Sequence, residues 1–181
     1  AGPELIEIGF SSSYTRSQQE SALRALCRIG DPGLLGQLDA MWSSLDGVQR
    51  QCAYRFSASL PLEFGGELLS RGLLDEEPKA RAIALQGFWG QLSRLNSVPT
   101  SSRPRLLLAL HEALELEGTD LYGVIAVLDE LTGIAGLVEL LNHRNPLVRA
   151  KVCTRLAGSL RGLRWREAFE VLVWASADAD P

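Results

Sequence analysis

The sequence predicts an all-α repeat protein, and three observations lead to that fold class. Apolar residues recur at i, i+3, i+4 and i+7 along almost the whole 181-residue chain, which is the period of helices and not of strands. Short turn segments and cap residues separate these helical patterns. Finally, three stretches of the chain superimpose on one another without gaps, as the units of a repeat protein do.

Cap residues and prolines mark where the helices begin. Ser17 followed by Glu20 has the form of a capping box, in which each side chain accepts a hydrogen bond from a free backbone amide. Proline stands at the expected first helical position at Pro32, Pro78 and Pro146, where its missing amide costs nothing. Ten helices are predicted, at residues 18–29, 32–44, 47–60, 63–74, 78–94, 104–117, 120–132, 134–143, 146–161 and 165–176.

The connections between these helices are mostly short, so consecutive helices are expected to be antiparallel neighbours. A longer loop, rich in Ser, Pro and Thr, is predicted at 96–103. The length suits one domain over 1–181, in which 95–134 matches the repeat poorly. Because the last residues resemble the approach to a further helix, we expect a fragment of a longer array or an end on a half repeat.

The internal repeat is the strongest signal in the sequence. Its copies begin at Val48, Ala80 and Val148, which are 32 and then 68 residues apart, and a fourth copy begins at Gln18. Each helix pair has apolar residues on more than one face, so stacking against the next pair is the available way to bury them. Large apolar residues coincide at Phe56, Phe88 and Leu156, and again at Leu60, Leu92 and Leu160.

Residues 25–35 and 145–150 resemble a HEAT repeat, particularly the short form of roughly 30 residues in phycobilisome-lyase-type HEAT proteins. The resemblance covers 18–94 and 134–181. It implies a right-handed α-α superhelix, a HEAT/ARM-like solenoid of antiparallel helix pairs whose second helices line a concave surface. Such a fold hosts many unrelated functions, so it identifies an architecture and not an activity.

The resemblance also implies a ladder of Asp and Arg along the turns. In the family, an Asp precedes the second helix and an Arg is the second residue of that helix. Asp75 and Arg81 match this pattern. Arg149 matches the Arg, but His143 replaces the Asp, and Gln49 replaces the Arg in an earlier copy, so we expect an incomplete ladder.

Composition disfavours several classes of protein. Eighteen Lys and Arg against 22 Asp and Glu give a net charge of −4, which provides no overall attraction for nucleic acid or anionic lipid. No segment resembles a membrane span or a signal peptide. Cys27, Cys52 and Cys153 lie far apart without a CxxC pair, as expected for buried thiols in a reducing compartment. We therefore expect a cytoplasmic protein.

The C-terminal repeat is basic although the chain as a whole is acidic. Between His143 and Arg166 there are seven Lys or Arg and no Asp or Glu, which leaves a net charge of −11 on the rest of the chain. Three interpretations stay open: a ladder Arg with a solvated stripe at Lys151 and Arg155, a dock for an acidic protein segment, or a nucleic-acid contact. The candidate partner-binding cations are Arg144, Arg149, Lys151, Arg155, Arg161, Arg164 and Arg166.

The four tryptophans are candidates for aromatic anchors in an interface. Trp42, Trp165 and Trp174 stand at helical spacing among apolar residues, which favours core packing. Trp89 is the exception, because Phe88 takes the aligned core position and the next residue is rotated by about 100° around the helix. We therefore add Trp89 to the candidate partner-binding residues.

The inventory for catalysis is thin. His111 and His143 have no metal-ligand spacing, and no P-loop, GxGxxG or GxSxG motif is present, so we predict no catalytic residue, metal or cofactor. The carboxylates Glu112, Glu115 and Glu117 lie along one predicted helix and are interpreted as a solvated face. Cys153, among aliphatic neighbours, is interpreted as a small core residue and not a nucleophile.

The leading hypothesis is a noncatalytic scaffold that binds a protein partner through the concave helix row and the basic C-terminal repeat. The alternative is a nucleic-acid-acting HEAT protein, similar in architecture to the alkylpurine DNA glycosylases. A weaker alternative follows the lyase-type resemblance, which implies a chaperone-like subunit for a chromophore-bearing protein.

Overall fold

The structure is a computed structural model that describes residues 2–11, 13–91, 100–159, 169 and 173. The regular secondary structure of these residues is all helical, as predicted, and they form packed helix pairs without a strand. Contacts divide the chain into two compact units, Ala1–Glu112 and Ala113–Pro181. In the described part the helices are α1 (Gly2–Phe10), α2 (Arg16–Ile29), α3 (Leu35–Ala40), α4 (Gly47–Ser59), α5 (Leu62–Gly72), α6 (Pro78–Trp89), α7 (Arg103–Ala113), α8 (Leu121–Leu140) and α9 (Pro146–Ser159).

Helix α1 has no counterpart among the ten predicted helices. Its residues Ile6 and Phe10, four apart, are buried in the core, and Gly9 allows close packing against Leu23 of α2. The segment 32–44 is also not one helix, because 3-10 turns at Pro32–Leu34 and Trp42–Ser44 flank the short α3.

The start of α2 corrects the predicted capping box. The helix begins at Arg16, and its N-cap is Thr15, not Ser17. The Thr15 hydroxyl accepts from the Gln18 amide at 3.4 Å, while the Gln18 side-chain oxygen accepts from the Thr15 amide at 2.9 Å. Gln18, at the third helical position, thus makes the side-chain bond of the capping box that was predicted for Glu20.

The other predicted starts agree better with the structure. Asp31 and Asn145 each accept from the backbone amide two residues ahead, at 2.9 Å in both cases. At α6, the side chain of Glu77 makes no cap bond, and Asp75 accepts from the Glu77 amide at 3.0 Å instead. Asp46 forms a second capping box with Gln49 at the start of α4.

In the first unit, α4 and α6 pack side by side with α5 running back between them. Two glycines allow this close approach. A Cβ atom on Gly65 would lie 2.3 Å from the Ser57 carbonyl oxygen, and one on Gly72 would lie 2.6 Å from the Cβ of Ala84. Phe56, Leu69 and Phe88 are fully buried among these helices.

The second unit is built on α8 and α9, which pack against each other. Helix α8 is sharply kinked at Gly133, whose φ of 69° and ψ of −165° lie outside the helical region. The sequence predicted separate helices over 120–132 and 134–143, and the kink lies at the boundary between them. The buried core of this unit includes Val124, Ile125, Val127, Leu128, Leu137, Val148, Val152 and Leu156.

Helix α8 is long and apolar enough to cross a membrane by length and composition alone, and half of its apolar window is buried within the protein. It also carries the buried carboxylate of Asp129. Core helices of folded domains share these properties.

The repeat alignment agrees with the core at its large residues. Phe56, Phe88 and Leu156 all have no exposed surface. The first aligned position is less regular, because Ala80 and Val148 are buried whereas Val48 is 52% exposed. Leu92, Leu160 and the predicted helix at 165–176 lie outside the described residues, apart from single positions in that helix.

Candidate functional site

A groove with a volume of about 780 Å³ runs between α2 and α4 and reaches the start of α6. Its lining comes mostly from α2, from α4 and from the start of α6. The apolar part of the lining consists of Leu23, Cys27, Val48 and Cys52, and the polar part includes Gln19, Gln49 and Gln51.

Helices α2 and α4 begin at the same end of the groove. The side-chain amide of Gln19 in α2 donates to the carbonyl oxygen of Ser11 at 2.6 Å. The side-chain amide of Gln49 in α4 donates to the carbonyl oxygen of Phe10, also at 2.6 Å. The first turns of both helices therefore contact the end of α1 through glutamines that are 30 residues apart.

Helices α4 and α6 run in the same direction as well. At their first turns, the Gln51 amide donates to the Glu77 carboxylate at 2.8 Å. At their far ends, the Gln91 amide donates to the carbonyl oxygens of Ala58 and Leu60 at 3.1 and 2.9 Å. Helices α2, α4 and α6 therefore begin at the same end of the groove.

The groove carries more positive than negative charge. Five cations line it, Arg16, Arg24, Arg28, Arg55 and Lys79, against the two carboxylates Glu20 and Glu77.

Glu20 forms ion pairs with two of these cations. It pairs with Arg16 at 3.4 Å and with Arg24 at 3.8 Å across exposed surface. In the part of the chain that the structure describes, Arg28, Arg55 and Lys79 take part in no ion pair, although all three are exposed. Their charges are thus available to a ligand.

The two thiols in the groove are poor nucleophiles. Burial, partly offset by Arg55, raises the pKa of both Cys27 and Cys52 above the ordinary value. A protonated thiol behaves as a small apolar side chain, so the cysteines contribute apolar surface to the groove.

The basic C-terminal repeat differs from the groove, because most of its described cations have partners inside the fold. Arg144 pairs with Glu115 at 2.9 Å. Arg149 donates to the carbonyl oxygens of His143 and Arg144 at 2.8 and 3.3 Å. Lys151 is exposed on α9.

Arg155 does not belong to a solvated stripe with Lys151. Its Nε donates at 2.8 Å to Asp129, whose side chain is 2% exposed, while that of Arg155 is 27% exposed. Burial opposes the charge of Arg155, but hydrogen bonds to Asp129 and Tyr122 outweigh it and raise the pKa of the guanidinium. Arg161, Arg164 and Arg166 lie outside the described residues.

The predicted ladder residue Asp75 is buried, and its carboxylate has three kinds of donor. Arg50 donates at 2.8 Å, the Tyr54 hydroxyl at 2.8 Å and the Glu77 amide at 3.0 Å. Burial would raise the pKa of Asp75, but these hydrogen bonds together lower it below the ordinary value. Burial and the bond to Asp75 raise the pKa of Tyr54 well above the usual range.

The predicted ladder residue Arg81 bonds to the turn backbone. It donates to the carbonyl oxygens of Asp75 and Glu76 at 2.7 and 3.1 Å. Arg149 makes the equivalent pair of bonds one matching copy later.

His143 accepts a backbone hydrogen bond in the turn before α9, as Asp75 does in the turn before α6. Its Nδ1 accepts from the Asn145 amide at 3.1 Å, as Asp75 accepts from the Glu77 amide. The Nε2 atom lies 3.3 Å from Glu115. The hydrogen bond to Arg144, the charge of Arg144 and then His143 lower the pKa of Glu115.

The aromatic candidates divide between surface and interior. Trp89 is 38% exposed beside the fully buried Phe88, as predicted for the residue next to the core position. Trp42 is half-buried, with its ring 5.6 Å from that of Tyr54 and 5.0 Å from the Arg71 guanidinium. Trp165 and Trp174 lie outside the described residues.

Sequence reasoning missed the groove because its cations come from three separate helices. The i, i+4 spacing of Arg24 and Arg28 on α2 was available as a signal, but it did not show that Arg55 lies opposite. The repeat alignment places Arg55 and Arg155 at the same position, but Arg155 is bound to buried Asp129 whereas Arg55 is exposed, so the alignment did not reveal the groove.

In the described ranges, no cluster of three or more His, Cys, Asp or Glu is arranged to hold a metal ion.

Comparison with models of known protein families, with curated proteins and with solved structures gives no match to this chain.

Proposed function

We propose that the chain is a noncatalytic interaction module of the HEAT-like kind that binds a protein partner in the groove between α2, α4 and α6. The observation that carries this proposal is the parallel row of second helices, which leaves a groove of about 780 Å³ lined by Arg28, Arg55 and Lys79 without ion-pair partners in the described part of the chain. Exposed cations beside apolar surface favour a partner that is acidic at its rim and apolar at its centre.

The proposal includes the superhelical stacking implied by the HEAT resemblance. The bonds of Gln19 and Gln49, which are 30 residues apart, to the end of α1 support it, since repeat modules place equivalent side chains one repeat apart. The shared bonding of Arg81 and Arg149 to their preceding turns supports the same repeat unit.

A protein partner is favoured over nucleic acid by the chemistry of the lining. The described residues that line the groove include no Trp, Tyr or Phe on which a base would stack. The net charge of −4 also opposes a polyanion at long range. Nucleic acid is therefore treated as an outcome that would contradict the proposal.

Site-specific photocrosslinking tests which surface meets the partner. A photoreactive amino acid replaces either Val48 in the groove or Leu147 at the start of α9, two apolar residues that are 52% and 63% exposed. We expect crosslinked protein from native extract at position 48, and loss of that product when Arg28 and Arg55 are both changed to Glu.

The position-147 variant is the matched control, because it places the same reactive group on the basic C-terminal repeat. Crosslinking at position 147 alone would assign the partner to that repeat and contradict the proposal. A position-48 product that consists of nucleic acid, or that persists after charge reversal at Arg28 and Arg55, would contradict it as well.

A further inference from the structure

Both carboxylates of the groove lie at the end where α2 and α4 begin. Gln19 and Gln49 mark that end, because both donate to backbone carbonyl oxygens at the end of α1. Glu20 follows Gln19 directly in α2. Gln51, in the next turn of α4, donates to the Glu77 carboxylate at 2.8 Å, so Glu77 lies at this end as well. We call it the α1 end of the groove.

The guanidinium groups of Arg28 and Arg55 lie toward the opposite end, on the two facing walls. Arg28 is nine residues beyond Gln19 in α2, and Arg55 is six residues beyond Gln49 in α4. At about 1.5 Å per helical residue, they are about 14 and 9 Å further along the groove than the two glutamines. Both side chains are exposed, and in the part of the chain that the structure describes neither takes part in an ion pair. We call this the arginine end.

The two ends therefore differ in charge. At the α1 end, two cations, Arg16 and Lys79, balance the two carboxylates in formal charge. Glu20 is paired with Arg16 at 3.4 Å and, further along α2, with Arg24 at 3.8 Å. Among the described residues that line the groove, those at the arginine end are two cations and no carboxylate. Negative charge on a ligand is therefore attracted to the arginine end.

Apolar side chains line the rest of the groove. Val48, next to Gln49 at the α1 end, is 52% exposed. Leu23 and the half-buried Cys52 lie further along the two walls. An acidic side chain placed on this surface would lose hydration without gaining an unpaired cation. The apolar part of the groove therefore favours apolar residues of a partner.

From this arrangement we infer that the groove binds a partner segment whose acidic residues are clustered at one end and whose other end is apolar. The acidic cluster binds Arg28 and Arg55 at the arginine end. The apolar end of the segment packs on Leu23, Cys52 and Val48. This inference rests on the proposed function and adds how charge is distributed along the bound segment.

Three labelled peptides of one composition, with blocked termini, test this distribution. Glu-Glu-Glu-Ser-Leu-Val-Leu-Ser and Ser-Leu-Val-Leu-Ser-Glu-Glu-Glu have clustered acidic residues and cover both chain directions, whereas Glu-Leu-Ser-Glu-Val-Ser-Leu-Glu has dispersed ones. Fluorescence anisotropy with the full chain should show that one clustered peptide binds about fivefold more tightly than the dispersed peptide. If neither clustered peptide binds more tightly than the dispersed one, the inference is overturned.

Matched arginine variants locate the acidic cluster. Arg28→Gln and Arg55→Gln should each weaken binding of the preferred peptide about threefold, whereas Arg16→Gln, at the α1 end, should change it by less than about twofold. All three arginines are exposed, and circular dichroism verifies that each variant keeps its helicity. Equal affinities of the three variants for the preferred peptide would contradict the inference.

A benzophenone on the apolar end of the preferred peptide gives an independent position. We expect mass spectrometry to find the crosslink at or next to Val48 at the α1 end. Ile29, which follows Arg28 and is 49% exposed, is the matched apolar position at the arginine end. Crosslinking at Ile29 in place of Val48 would mean that the apolar end of the peptide lies beside the arginines, and would overturn the inference.

The proposed function fails separately from this inference. Crosslinking of a protein from native extract at position 48 tests the surface without reference to the order of charges within a segment. Charge-dependent crosslinking there, together with equal affinity of the three peptides, would refute the distribution and leave the interaction module intact. A single-stranded octanucleotide that binds more tightly than every peptide would overturn the inference, because the preferred ligand would then be a uniform polyanion.

Discussion

The α2/α4/α6 groove and the C-terminal basic repeat both collect cations, but the two regions use them differently. Arg28, Arg55 and Lys79 line the groove without an ion-pair partner in the described part of the chain. In the C-terminal repeat, Arg144 binds Glu115 and Arg155 binds Asp129. A segment with seven cations and no carboxylate of its own thus has much of its described charge neutralised by α8 and by the turn before it.

The comparison shows that a count of charges along the sequence does not locate the electrostatic surface. Charge reaches a partner only if no nearby group compensates it, and the compensating groups come from other helices. Asp129 precedes Arg155 by 26 residues, and Glu115 precedes Arg144 by 29. Such pairs are determined by packing and not by local sequence.

The largest expected difference between the two regions is in stability. Arg155→Glu places a second carboxylate beside buried Asp129, so the free energy of unfolding should fall by about 3 to 5 kcal/mol. Arg55→Glu, at the aligned position on the exposed groove wall, should change it by less than about 0.5 kcal/mol. Chemical denaturation of both variants measures this difference, and equal destabilisation would show that the two sites are not distinct.

The junction before α6 should show a smaller effect that depends on pH. Asp75→Asn removes a buried charge that Arg50 and Tyr54 satisfy, and we expect a loss of about 2 to 3 kcal/mol at pH 7. Because folding lowers the pKa of Asp75, its stabilisation is present above the ordinary value of 3.8 and is lost as the pH falls toward the folded-state value. Denaturation at pH 7 and at lower pH measures the gap between the two proteins.

That gap should narrow as the solution is acidified. A gap that stays constant with pH would mean that the carboxylate of Asp75 carries no linked stabilisation. Asp39→Asn provides the control, because Asp39 pairs with Arg71 across exposed surface and should cost less than about 1 kcal/mol.

The junction before α9 offers a milder comparison. His143→Asn keeps a side-chain oxygen that can accept from the Asn145 amide, so we expect a loss below about 1 kcal/mol. His143→Ala leaves that amide without its acceptor and should cost about 1 kcal/mol more. If the two variants unfold at the same denaturant concentration, the bond from the Asn145 amide contributes nothing.

The smallest effect is expected at Lys151, the exposed cation of the C-terminal repeat. Lys151→Glu should change the free energy of unfolding by less than about 0.5 kcal/mol. It should also leave the crosslink at position 48 intact. If the crosslink is lost while thermal unfolding is unchanged, the partner binds the basic C-terminal repeat and not the groove.

Local sequence signals predicted much of the fold. Proline and cap residues marked the starts of α6 and α9, and Gly133 separated two predicted helices where α8 is kinked. The core positions Phe56, Phe88 and Leu156 followed from the repeat. These features depend on neighbours within one or two helical turns.

Features that depend on packing were missed. Helix α1 is short and carries Gly2 and Pro3 at its start, and its apolar residues are buried by packing against α2, α3 and the 3-10 turn before α3. The break before α3 lies next to Gly33, a residue of low helix propensity. Likewise, the partners of Arg50 and Arg155 lie 25 or more residues away along the chain.

Arginine modification measures most directly which guanidinium groups are free. Phenylglyoxal reacts with accessible, unpaired arginines, and mass spectrometry after a short exposure gives the modified fraction at each one. We predict that Arg28 and Arg55 are modified before Arg149 and Arg155. Modification of Arg155 as fast as Arg55 would contradict the claim that the groove, and not the C-terminal repeat, presents the available charge.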